Sequence, residues 1–176
     1  MPERTFDDIL GAWAGARRGD NNHEALARMD VRRRIFGLLA DGQPISAEQL
    51  ASVSTESTHQ VAEILRQVRD DGAEFNERGE LVGLVLTLNP TPHEFRVGGR
   101  DLFAWCALDT MFLPGLIGRR ARVRSTCPVT GSTIELTVSP TGVADVDPPE
   151  TVLTVCGPGA LTETDAGPLV GPSGAI

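Results

Sequence analysis

Apolar positions recur at helical spacing through the first part of the chain. Phe6, Ile9, Leu10 and Trp13 predict a short amphipathic helix over 3–18 that closes near Gly19. A second helix is expected over about 23–40. Its buried side carries Leu26, Met29, Ile35, Phe36 and Leu39, and Gly42 supplies the stop signal. Ser46-Ala-Glu-Gln49 has the form of a capping box and opens a helix to about Ser52. Thr55 or Ser57 then starts a helix with Val61, Ile64, Leu65 and Val68 on one face, ending before Gly72. Residues 73–88 read as a hairpin around Glu77-Arg78-Gly79, with Leu81, Val82, Leu84, Val85 and Leu86 as strand. This order of elements is that of a winged helix-turn-helix.

Asn89-Pro-Thr-Pro92 is a turn-rich linker, and the pattern changes beyond it. Glu94–Val97 is a short strand before the turn Gly98-Gly99. Asp101 is then expected to cap a helix over 102–113. That helix is apolar on nearly every side and so buried, and Pro114 and Gly115 end or kink it. Strands follow over 119–125 and 132–139 around Pro128-Val-Thr-Gly131, and another over 151–156 entered from Asp147-Pro148-Pro149. The fold class is α+β: an N-terminal winged-helix-like part, then a mixed or antiparallel sheet core with a buried central helix. The expected division is 1–88, 93–156, and a loose Gly- and Pro-rich tail over 157–176.

Charge narrows the function classes. The 176 residues carry 24 Asp and Glu against 16 cations, all arginine, for a net charge of −8. No segment is net basic, so neither the whole chain nor its helix-turn-helix offers the cationic surface that phosphate binding requires. The Arg32-Arg33-Arg34 run lies beside Glu24, Asp30 and Asp41 and reads as a solvated helix face. Arg66 and Arg69 likewise sit among Glu63, Asp70 and Asp71. No apolar run is long enough for a membrane span. The N-terminus lacks the basic and apolar regions of a secretory leader. Cys106, Cys127 and Cys156 form no Cys-x-x-Cys pair. Free thiols in such an arrangement point to a reducing compartment, and the expected location is the cytoplasm.

Asp109 is the informative residue of the central apolar segment. A carboxylate buried without a partner is costly, and desolvation raises its pKa towards the range useful for proton transfer. Cys106 stands three residues earlier, which places a sulfur nucleophile beside a proton acceptor. Spacing alone leaves a plainer reading open. Cys106 then acts as a small hydrophobe, and Asp109 faces solvent or pairs with Arg119 or Arg120.

The segment Gly99-Arg-Asp-Leu-Phe-Ala-Trp-Cys-Ala-Leu-Asp-Thr-Met-Phe-Leu-Pro114 resembles the signature of the alkylmercury (organomercurial) lyase family. The resemblance continues through Ile117-Gly-Arg, Ala121-Arg-Val, Cys127-Pro-Val-Thr-Gly131 and Leu136-Thr-Val-Ser-Pro140. Upstream, 30–72 and Leu86-Thr-Leu-Asn-Pro90 fit the family's winged-helix-like part, and the match spans about 25–155. It implies protonolysis of a carbon–mercury bond to a hydrocarbon and Hg(II). Cys106 would be the catalytic thiol that binds mercury, and Asp109 the residue that accepts and returns the proton. Cys127 would be structural.

The resemblance implies no organic cofactor. Its partners are an organomercurial substrate, cellular thiols as co-reactants and mercuric reductase as acceptor of the product, with no nucleic acid or membrane. The family carries a second catalytic cysteine in a Cys-His-Val-His-Phe-Phe-like segment that this sequence lacks. The C-terminus is therefore expected to be divergent or truncated, with Cys156 the spare downstream thiol. The alternatives are a non-catalytic organomercurial or Hg(II) binder and a winged-helix metal-responsive regulator. Cys106 is expected to meet mercurials ahead of Cys127.

Overall fold

Helix α1, Asn22–Leu39, opens the computed structural model, which describes residues 22–154, with side chains from residue 30. The expected helix over 3–18, the side chains of Leu26 and Met29, Cys156 and the tail over 157–176 lie outside the described residues. Val31, Ile35, Phe36 and Leu39 line the buried side of α1. Gly42 closes it with φ 75° and an N–H bonded to the Leu39 carbonyl at 2.8 Å.

Helices α2, Ala47–Val53, and α3, Thr58–Asp70, each begin with a complete capping box. The Ser46 hydroxyl accepts from Gln49 N–H at 3.2 Å, and Gln49 Oε1 accepts from Ser46 N–H at 2.8 Å. Ser57 and Gln60 repeat the arrangement, which decides for Ser57 over Thr55 as the start of α3. Val61, Ile64 and Val68 are buried, and Leu65 packs partly against the same core. In the arginine run, Arg32 pairs with Asp71 and Arg34 with Asp30, while Arg33 is exposed. Only Arg33 stands on the solvated face expected from sequence; Arg32 and Arg34 are half-buried between helices.

The sheet has eight strands, all antiparallel, in the order β1-β2-β3-β5-β4-β6-β7-β8. They are β1 Glu74–Phe75, β2 Leu81–Leu84, β3 Leu86–Thr87, β4 His93–Val97, β5 Arg100–Ala104, β6 Ala121–Thr126, β7 Thr133–Ser139 and β8 Gly142–Asp147. The expected hairpin over 73–88 is present, but its second arm turns back at Val85, where Leu84 pairs with Leu86. Val85 takes φ 65°, a left-handed conformation that β-branched residues rarely adopt.

Period-2 alternation sorts the middle of the sheet into two faces. Phe95, Val97, Leu102, Ala104, Ala121 and Val123 point inward, while Glu94, Arg96, Arg122 and Arg124 are exposed. Helices α1 and α4, Ala107–Ile117, contact the strands and one another.

Three expectations are corrected. Residues 100–104 form β5, so Asp101 caps no helix. Gly98 and Gly99, with φ 57° and 78°, make a two-residue turn that pairs Val97 with Arg100 and Arg96 with Asp101. Asp101 spends its carboxylate on Arg96. The helix of this segment runs instead from Ala107 to Ile117, and Pro114 lies inside it; Gly118, left-handed at φ 73°, is where it ends. It is also not buried on every side: only Thr110, Leu113 and Pro114 are fully buried. Finally, 151–154 has no regular structure, and the last described strand is β8, over Gly142–Asp147.

Candidate active site

The site forms where β5 passes into α4. Trp105 leaves the strand with its N–H donating to the Val85 carbonyl at 2.9 Å. Cys106 follows in extended conformation, φ −142° and ψ 168°, as the N-cap of α4. Cys106-Ala-Leu-Asp109 has the spacing of a capping box, with sulfur in place of the usual hydroxyl oxygen. Asp109 Oδ2 accepts the Cys106 N–H at 2.8 Å, and the Asp109 backbone N–H faces the Cys106 sulfur.

Sequence spacing therefore predicted the right neighbours for a different reason. The two residues meet across a helix start, with Cys106 outside the helix and Asp109 at its third position. The plainer pairing of Asp109 is not present. Arg119 pairs with Asp41, Arg120 with Asp145, and among the described residues no arginine pairs with Asp109.

Burial and mutual contact set the protonation of the pair. Cys106 is pushed from an ordinary 9.0 up to about 11, by desolvation first and then by the charge and hydrogen bond of Asp109. The Asp109 and Leu108 backbone N–H groups oppose this, as amides at a helix start favour negative charge. Burial likewise raises Asp109, with the hydrogen bonds from Cys106 pulling the other way. The resting state is a protonated thiol against a carboxyl with heightened affinity for protons. Such a pair can pass a proton internally as sulfur forms a new bond.

Cys127 occupies a different setting. It starts the β6–β7 turn, donating its N–H to Ser132 O and accepting from Gly131 N–H, both at 2.9 Å. The Thr130 hydroxyl, then the Thr130 and Val129 backbone N–H groups, lower its pKa.

Sequence reasoning passed over Glu74 on β1. Its carboxylate receives the Trp105 indole N–H at 3.0 Å, the Asn89 amide at 2.7 Å and the Thr87 hydroxyl. It also passed over His93, buried on β4 with Nδ1 3.0 Å from Ser125 Oγ and its pKa lowered by burial. No cluster of three or more His, Cys, Asp or Glu able to hold a metal ion occurs among the described residues. No helix among them is long and apolar enough to cross a membrane.

The alkylmercury lyase (MerB) family profile matches residues 86–166, which include the whole β5–α4 junction. The chain is 43% identical over 136 residues to an alkylmercury lyase of Streptomyces lividans, covering 77% of this chain and 62% of that protein. It is 46% identical over 140 residues to an alkylmercury lyase of Pseudomonas putida, covering 80% and 64%. The chain thus spans less than two thirds of the length of these relatives. Among solved structures, it resembles the mercury-bound form of MerB2, with a TM-score of 0.61 and 29% identity over 69% of this chain and 60% of that one.

Proposed function

Starting from the chain's membership of the alkylmercury lyase family, we propose that it cleaves organomercurials by protonolysis, with Cys106 as nucleophile and Asp109 as proton carrier. The observation that carries this reading is the capping arrangement at the start of α4, in which Asp109 Oδ2 accepts the Cys106 N–H at 2.8 Å and the Asp109 N–H faces the Cys106 sulfur. The substrate is an organomercury cation held by a small thiolate. The Asp109 carboxylate takes the Cys106 proton as sulfur bonds to mercury, and the small thiolate leaves. The proton now on Asp109 passes to the mercury-bound carbon. The carbon–mercury bond breaks, the hydrocarbon departs, and Hg(II) stays on sulfur. Soft mercury favours sulfur ligands throughout.

Free cellular thiols supply the further sulfur that draws Hg(II) away, and mercuric reductase is the acceptor downstream. A cytoplasmic thiol pool fits these needs. The α1–α3 helices with β1 and β2 serve as a winged-helix-like support without a role in binding DNA. Arg66 on α3 is engaged by Glu63 and Asp70, which leaves that helix a mixed-charge face.

The test is incubation with phenylmercuric acetate and excess small thiol, following benzene. Release that disappears in Cys106→Ser and Asp109→Ala supports the lyase. A second reading is a binder that takes up mercury without turnover. Stoichiometric mercury uptake with no benzene would establish it.

A further inference from the structure

Glu74 is a half-buried carboxylate whose hydrogen-bond partners are all neutral. The Trp105 Nε1–H, Asn89 Nδ2–H and Thr87 Oγ1–H converge on it, and among the described residues no arginine forms a salt bridge with it. Taking a carboxylate out of water without a cation is costly unless such donors replace its hydration. The surrounding chain makes room for it. A Cβ on Gly83 would lie 2.3 Å from Glu74 Oε2 and 2.7 Å from Thr87 Oγ1, so only glycine at 83 leaves the carboxylate its place.

The recipient of this arrangement is Trp105. Its backbone N–H is fixed to Val85 and its indole N–H to Glu74, so both ends of the residue before Cys106 are held by the β1–β3 edge. We propose that Glu74 is a positioning residue of the site: by holding the Trp105 indole it sets the path of the chain into Cys106, and so the meeting of that sulfur with the Asp109 carboxyl. The catalytic consequence rests on the lyase reading, whereas the effect on the thiol does not.

The test uses the full chain and the variants Glu74→Ala, Glu74→Gln, Trp105→Phe and Glu74→Ala/Trp105→Phe. The first readout is the rate of iodoacetamide labelling at Cys106, followed by peptide mass spectrometry, with Cys127 as internal reference. Moving Cys106 away from Asp109 weakens the two influences of that carboxyl which hold the thiol protonated, and these outweigh the opposing backbone N–H groups. Glu74→Ala should therefore label Cys106 about threefold faster or more and leave Cys127 unchanged. The second readout is benzene release from phenylmercuric acetate. Here kcat should fall by about tenfold to a hundredfold with KM little changed, since small misplacements of reacting groups cost that much.

Trp105→Phe keeps a ring but removes the donor and should reproduce both effects. The double variant should add nothing further, because the residues act in series. Glu74→Gln retains an oxygen acceptor for the indole and should recover most of the wild-type values. Unchanged Cys106 labelling in Glu74→Ala and Trp105→Phe would overturn the proposal. So would additive effects in the double variant, or equal acceleration at Cys106 and Cys127, which marks general loosening. If Glu74→Ala does not fold, Trp105→Phe decides by the same criteria. A wild-type chain that releases no benzene would sink the lyase reading while the labelling arm still judges Glu74.

Discussion

Replacing Asp109 by asparagine separates the two duties of that side chain. The amide oxygen so introduced can still accept the Cys106 N–H, so the start of α4 is kept, while the charge and the proton-carrying capacity are lost. Desolvation, the largest influence on Cys106, remains. The thiol should therefore fall below about 11 yet stay above its ordinary 9.0. At pH 8 a thiol of that pKa is ionised in about one molecule in a thousand, and a drop of about one unit raises this roughly tenfold. Lower basicity makes each thiolate less nucleophilic by about threefold, leaving iodoacetamide labelling at Cys106 roughly threefold faster. Turnover should move the other way. Loss of a general acid–base group costs about 10²–10⁴-fold, equivalent to about 3–5 kcal/mol of barrier. The assays are labelling by peptide mass spectrometry and benzene release from phenylmercuric acetate. A variant that labels no faster and turns over at the wild-type rate would refute the assignment of the proton to Asp109.

Labelling with iodoacetamide across pH should separate the two cysteines. Cys127, whose pKa is lowered, should react first with iodoacetamide near pH 8, and Cys106 should keep accelerating towards pH 11; Cys106 ahead at pH 8 would contradict the site's electrostatics. Stability should also register the raised pKa of Asp109. Between the unfolded carboxyl value of ~3.9 and the higher native value, the native state binds more protons, so ionisation of Asp109 lowers stability as pH rises through that window. Thermal melts of Asp109→Asn should show Tm at or above wild type at pH 7.5, with any gain fading below pH 4. In α3, Ser57→Ala removes the hydroxyl that caps Gln60 N–H and should cost about 1 kcal/mol in urea unfolding; no change would mean that the box contributes nothing there.

The helical half was legible because its signals are local. Ser46 and Ser57 sit at cap positions with glutamine three residues on, and Val61, Ile64 and Val68 keep helical period. Strands β6 and β7 alternate cleanly enough to be seen on either side of their turn. The segment 102–113 was misread because apolar residues at nearly every position carry neither period. Its usable clues were the Gly98-Gly99 turn, which commits the next residues to pairing, and the Cys-x-x-Asp cap spacing. The thiol–carboxyl neighbourhood survived the error because residues three apart meet both on a helix face and across a capping box. Glu74 was invisible for another reason: 31 residues separate it from Trp105, and only sheet pairing brings them together.

Val85 holds a left-handed turn that a β-branched side chain resists, at a cost of about 1–3 kcal/mol. Its carbonyl is the acceptor that meets the Trp105 N–H. Glycine would relax that torsion but would also let the carbonyl swing through a wider range of directions. Robustness and aim are thus opposed at one peptide unit, and a sequence tuned only for heat resistance would drift away from the residue found there.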